Sequence, residues 1–161
     1  MGELINVGLG EIKLSPNLDD VLVAYGLGSC LGIGMYDPTI RLAGLLHAVL
    51  PSHPNGRSDM SSRYVDTGIE ALLSEMQKAG AIRRRLVIRM AGGANMLNAP
   101  GFSQTFNIGS RNVDAALATF GNMHMQLSSY EVGGTTGRTV RFYVCDGRMT
   151  IRTVGNQERV I

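Results

Sequence analysis

Between Val21 and Pro51 the chain carries three short apolar runs that leave little freedom in how it folds. Val21-Leu22-Val23-Ala24-Tyr25 leads into a loop, Gly26-Leu27-Gly28-Ser29-Cys30-Leu31-Gly32. Alternation then resumes as Leu31, Ile33 and Met35, ends at Asp37-Pro38, and is followed by the nearly continuous run from Leu42 to Pro51. Runs of this length and composition suit buried strands. Three β segments therefore bracket one thiol, Cys30, and one imidazole, His47. Glycine is the joint: with no Cβ, the backbone beside Cys30 admits a close approach by another chain. The 21 glycines among 161 residues are about twice the usual ~7%, so tight turns are expected elsewhere too.

The rest of the chain reads in the same way. Residues 4 to 14 alternate loosely up to Ser15-Pro16-Asn17 and predict a first strand. Residues 51 to 63 are rich in Ser, Pro, Asn and Gly, a loop placed to act as a lid. Val65, Ile69, Leu72, Leu73 and Met76 follow helical spacing and stop at Gly80. A strand over Leu86 to Met90 runs into Ala91-Gly92-Gly93-Ala94-Asn95, and a long loop leads to Gly109. A second helix is expected from Val113, Ala116, Leu117 and Phe120, ending at Gly121. Three strands close the chain, over 123 to 130, 138 to 145 and 148 to 154, with Asp146-Gly147 predicting a type I′ hairpin turn. The expectation is a single domain over 1–161 of class α+β, mostly β with helices packed on the outside, with about eight strands and two helices. A chain of this size buries roughly 70% of the surface it exposes when unfolded, and needs no disulfide.

Composition removes several classes of function. The formal charge is +2, and the one basic cluster is Arg83-Arg84-Arg85; no basic stripe is interleaved with aromatics, which argues against nucleic acid. No basic patch followed by a long apolar stretch opens the chain, so neither a signal peptide nor membrane insertion is expected, and the predicted location is cytoplasmic. In that compartment Cys30 and Cys145 are expected as free thiols. No cofactor is implied. Gly26 to Leu31 lacks the third glycine of a dinucleotide fingerprint, and Gly133-Gly134-Thr135-Thr136-Gly137-Arg138 lacks the end of a phosphate loop.

Most free cysteines are small buried hydrophobes, and a lone histidine at a strand end is usually just a satisfied polar group. As a pair on neighbouring strands, Cys30 and His47 point instead to a nucleophile and its base. His53, in the flexible loop, is a rival base, while His124 is expected on the outer face of a strand. Zinc held by Cys30, Cys145, His47 and His53 is disfavoured, because no two of these stand at ligand spacing. Met96, Leu97, Phe102 and Phe106 lie together in a loop, where they form either an exposed docking patch or a segment folded back on the core.

With these residues in place the chain resembles the chemoreceptor glutamine deamidase family, CheD. The carriers are Gly26-Leu27-Gly28-Ser29-Cys30, His47 with Leu50-Pro51, Tyr64-Val65-Asp66-Thr67, Ala91 to Met96, Asn107 to Asn112, and Gly133-Gly134 before Arg138. The resemblance implies a cysteine hydrolase that converts receptor glutamines to glutamates, on a fold shared with the deamidating domain of cytotoxic necrotizing factor toxins, a mixed β-sandwich flanked by helices. With Cys30 as nucleophile and His47 as base, the groups available make the backbone amides of Ser29 and Cys30 the expected oxyanion donors and place Gly28, Met96 and Phe102 against the substrate. The resemblance also implies two partners, the cytoplasmic part of methyl-accepting chemotaxis receptors and a CheC-type phosphatase of the response regulator. One position departs from the family. Its third catalytic residue is a threonine six places before the cysteine, and here that place holds Ala24. A methyl group accepts no hydrogen bond from imidazole. The related toxins use a backbone carbonyl there, so the Ala24 carbonyl is the first candidate to orient His47, with Tyr25, Thr67 or an ordered water as others. The same departure leaves open an adaptor that binds receptor or phosphatase without turnover.

Overall fold

In the computed structural model, residues 2–54, 59–96 and 107–161 are described. In chain order they form β1 (Leu4–Asn6), β2 (Ile12–Ser15), β3 (Val21–Leu27), β4 (Leu31–Asp37), β5 (Leu42–Ala48), α1 (Val65–Lys78), a single 3-10 turn at Arg83–Arg85, β6 (Val87–Gly92), α2 (Ile108–Asn122), β7 (Ser129–Val132), β8 (Arg138–Tyr143), β9 (Met149–Thr153) and β10 (Arg159–Val160). One sheet has the order β1-β3-β8-β9-β10 and the other β2-β5-β4-β6-β7. The architecture is mixed α+β. All neighbours run antiparallel except β1 with β3 and β6 with β7.

The second sheet is the middle of three layers. Leu31, Ile33 and Met35 of β4 and Leu46 of β5 pack against Ile69, Leu72 and Met76 of α1 and Phe120 of α2. The opposite face, with Tyr36, Ala43, Leu45 and Ala91, packs against Leu22, Ala24, Val140, Phe142 and Ile151 of the first sheet. Every residue of β4 and β5 is buried, which is why β5 reads as a nearly continuous apolar run, while the alternation of β4 comes from glycines where the first sheet packs closely. Close packing sets the glycines inside them. A Cβ on Gly34 would stand 2.8 Å from the Phe142 ring. The same strand ends in a buried charge pair: Asp37 is fully buried and takes Arg85 Nη2 at 2.7 Å and the Ile82 amide at 3.0 Å. Burial pushes this carboxyl up, but Arg85 and the amides of Ile82 and Thr39 outweigh it and hold it below the ordinary range.

Several expected boundaries move. The single strand over 4–14 divides into β1 and β2, which belong to different sheets, so residues 7–11 cross from one layer to the other. Helix α1 spans the predicted residues and stops at Gly80, whose φ is +107°. Helix α2 starts five residues earlier than its apolar spacing suggested, because Asn95 caps it from a distant loop: Oδ1 accepts from the Ser110 amide at 3.1 Å and Nδ2 donates to Ser110 Oγ at 2.8 Å. Residues 123–128 are not strand; His124 is exposed in the turn after α2 with φ +56°, rather than on a strand face. The Asp146-Gly147 turn is not type I′, since only Gly147 has positive φ. β10, a two-residue edge strand, carried no sequence signal. Among the described residues no helix is long and apolar enough to cross a membrane.

Candidate active site

The Cys30 loop joins β3 to β4. A register shift between Ala24 and Leu27 interrupts the β3–β8 ladder, which resumes with Leu27 opposite Arg138, and Gly26 in this bulge has φ +60°, so the strand bends just before it reaches the thiol. Gly32 then faces His47 directly across the β4–β5 ladder. Side chains two apart on a strand share a face, so Cys30 lies on the same face as His47, one diagonal step away. Such diagonal neighbours stand about 7–8 Å apart in the backbone, within reach of an aromatic ring. This face looks into the space between the two sheets, where half-buried Cys30 packs against that core. The pair therefore sits at one mouth of the sandwich.

His47 is buried, and its Nδ1 lies 2.9 Å from the carbonyl oxygen of Val7. A carbonyl only accepts, so Nδ1 carries the proton and Nε2 is left with the lone pair. The His47 main chain is pinned by the same segment: Gly10 N–H donates to His47 O and His47 N–H to Glu11 O. The carbonyl that meets the ring is thus Val7's and not Ala24's. Ala24 pairs with Val140 inside the first sheet and packs its methyl in the core. Of the other candidates, Tyr25 is exposed and Thr67 Oγ1 donates to Ser61 O at 2.6 Å. No local pattern marks Val7. It reaches His47 only because β1 and β2 lie in different layers.

Three successive carbonyls of the Cys30 loop each receive a donor. Gly28 O takes the Ala94 amide at 2.9 Å, Ser29 O takes Asn112 Nδ2 at 2.8 Å, and Cys30 O takes the Gly93 amide at 2.9 Å. The motifs at 91–96 and 107–112 thereby close around the loop. Burial pushes the Cys30 thiol above the ordinary range, and its own main-chain N–H pulls it partly back.

The remaining candidates divide. Met96 is half exposed and lies against Gly28, where an added Cβ would meet its Cγ at 3.1 Å. Phe102, Leu97 and Phe106 lie outside the described residues. His53 is paired through Nε2 with Asp59 at 3.0 Å and tilts against the Tyr64 ring, so it is engaged away from the thiol. Cys145 is exposed and free, as Cys30 is free. Among the described residues no group of three His, Cys, Asp or Glu side chains is placed to hold a metal. An open groove of about 630 Å³ runs beside the end of the His47 strand, lined by Leu50, Pro51, Tyr64, Ile108 and Arg111 among others.

A two-sheet α+β chain with a thiol and an imidazole at one mouth defines the class, and comparison with known proteins supplies the family. The family model described as CheD chemotactic sensory transduction matches residues 49–153. The probable chemoreceptor glutamine deamidase CheD of Symbiobacterium thermophilum is 43% identical over 154 residues, covering 94% of this chain and 93% of that protein. The probable chemoreceptor glutamine deamidase CheD of Archaeoglobus fulgidus is 39% identical over 152 residues, 94% of each chain. The chemoreceptor glutamine deamidase CheD of Thermotoga maritima is 34% identical, covering 96% of this chain and 94% of its own. The chain belongs to the CheD family.

Proposed function

We propose that the protein deamidates selected glutamine side chains of methyl-accepting chemotaxis receptors, acting in the cytoplasm as one domain over 1–161. The observation that carries this reading is the shared face of Cys30 and His47, with Val7 O fixing the tautomer that leaves Nε2 free to accept a proton. Burial disfavours the free thiolate, and His47 takes the thiol proton as Sγ attacks the carboxamide carbon. The C=O π bond opens onto oxygen, and the Ser29 and Cys30 amides receive the oxyanion, a contribution of about 3 to 4 kcal/mol per well-placed donor. The imidazolium returns the proton to the departing nitrogen, and ammonia leaves a thioester on Cys30. Water then attacks with His47 as base, releasing glutamate and the thiol. A methyl ester in the same place would follow the same steps with methanol leaving, which supports a methylesterase side activity. Gly28, Met96 and Phe102 are proposed to contact the substrate, and a CheC-type phosphatase is proposed as a second partner.

The test is mass spectrometry of a receptor cytoplasmic fragment incubated with wild type and with Cys30→Ser. Glutamine-to-glutamate conversion at defined sites by wild type alone is expected. Equal conversion by Cys30→Ser overturns the mechanism. Binding of the fragment without conversion by wild type would replace the enzyme with an adaptor that retains the receptor surface.

A further inference from the structure

Asn112 is fully buried near the start of α2, and both hydrogens of its side-chain amide are committed. Nδ2 donates to Ser29 O at 2.8 Å and to Val49 O at 3.0 Å. Both partners are carbonyls, which only accept, so the orientation of the amide is fixed by chemistry. Oδ1 is buried and has no hydrogen-bond partner among the described residues. A side chain kept for helix packing alone would not leave an acceptor orphaned in the interior, since buried polar groups are nearly always satisfied. The arrangement makes sense if the two donors are what the position requires.

The consequence lies in peptide geometry. Ser29 C=O and Cys30 N–H belong to one planar trans peptide and point in opposite directions. Holding the carbonyl toward α2 therefore aims the Cys30 N–H away from the helix and back over its own sulfur, where that N–H already acts on the thiol. The neighbouring peptide is held in the same sense by Ala94 N–H on Gly28 O, which fixes the Ser29 N–H. The second Asn112 hydrogen reaches Val49, one residue past the end of the strand that carries His47. One amide group thus spans the nucleophile's peptide and the base's strand.

We infer that Asn112 is the positioning residue of this site: through the Ser29 carbonyl it aims the Cys30 amide at the developing oxyanion, and through the Val49 carbonyl it sets the separation of Cys30 from His47. The inference rests on the deamidase reading for its effect on rate, but its effect on the thiol does not depend on any substrate.

The test uses the full chain carrying Cys145→Ser, so that Cys30 is the sole thiol, with and without Asn112→Asp or Asn112→Ala. Each variant is assayed for receptor-fragment deamidation and for the pH dependence of Cys30 alkylation by iodoacetamide. The expected result is a fall in kcat of about 10- to 100-fold, KM within about twofold, and an alkylation midpoint displaced to higher pH because the N–H no longer faces the sulfur. An unchanged alkylation profile in a folded variant overturns the inference, as does a loss confined to KM. Absence of deamidation in wild type would defeat the functional reading alone, because the alkylation profile still decides the role of Asn112. Should neither variant fold, wild-type NMR decides: slow exchange of the Asn112 side-chain amide, with couplings through its hydrogen bonds to the Ser29 and Val49 carbonyls, is expected. Exchange at the rate of a free amide overturns the inference.

Discussion

Gly92→Ala probes how firmly the nucleophile loop is seated. Gly92 is paired with Leu31 at the end of β6, has φ +112°, and an added Cβ would stand 2.2 Å from the Cys30 carbonyl oxygen. Both atoms that would collide are fixed, one by the strand and the other by the Gly93 amide. Loop and strand must therefore part by about 1 Å, and displacements of that size at a reacting group cost on the order of 10²-fold in rate. The backbone conformation adds about 1–3 kcal/mol for a side chain in that region, and loss of the Gly93 N–H to Cys30 O bond adds about 1 kcal/mol. Together these predict about 2–4 kcal/mol of destabilisation. The chain has no tryptophan, so urea unfolding is followed by circular dichroism, with kcat measured on the receptor fragment at a urea-free temperature well below the transition. A destabilisation under about 1 kcal/mol, together with kcat within about threefold of wild type, would refute the claim that this contact seats the thiol.

Other expectations follow from individual contacts. Arg85→Ala leaves the Asp37 carboxylate buried with only amide partners and should cost about 3 kcal/mol in urea unfolding at pH 7. Because the folded Asp37 carboxyl is held below its ordinary range, its contribution is complete above about pH 4 and fades as pH falls through the folded value. The acid limb of the wild-type stability curve should therefore flatten in Arg85→Ala. The Cys30 thiol is pushed the other way: its contribution is present below about pH 8.5 and lost as pH rises beyond it, and Cys30→Ala should remove that alkaline slope. Gly34→Ala is expected to cost about 1–3 kcal/mol by overpacking. Combining it with Phe142→Leu should recover part of the loss in a double-mutant cycle, and strict additivity would contradict the packing described. Ala24→Thr should leave kcat within about threefold, since Val7 O already holds Nδ1; a rise of tenfold or more would show that the carbonyl orients His47 poorly.

The His47 strand was legible because both faces of the middle sheet are covered, which writes burial into a nearly unbroken apolar run, and the strand after Cys30 was legible from Leu31, Ile33 and Met35 alternating with glycine. Helix α1 was legible for the complementary reason, one apolar stripe facing that sheet. What escaped was everything decided by the docking of layers. Residues 4–14 read as one strand because the local alternation of Leu4, Val7, Ile12 and Leu14 does not reveal that the chain changes sheets between them. The start of α2 escaped because its cap, Asn95, is remote in sequence. The partners of His47 and of the Ser29 carbonyl escaped for the same reason: a backbone oxygen bears no residue signature, and Asn112 is separated from Ser29 by 83 positions. The glycine at residue 32, by contrast, was visible as part of the loop, although its place directly opposite His47 needed the register.

The crossover at Val7 has a kinetic consequence. The bonds that complete the site span 40 positions from Val7 to His47 and 83 from Ser29 to Asn112, and the bulge beside the loop is joined to Thr139 across 113. Contacts of such high sequence separation form late, after the entropy of closing long loops has been met. A chain folded only as far as the β4–β5 pair would bring Cys30 and His47 to one face with neither the Val7 carbonyl nor the Asn112 amide in place. On the proposed mechanism, competence to hydrolyse an amide would require both sheets closed and α2 docked, so the fold itself would time the onset of reactivity.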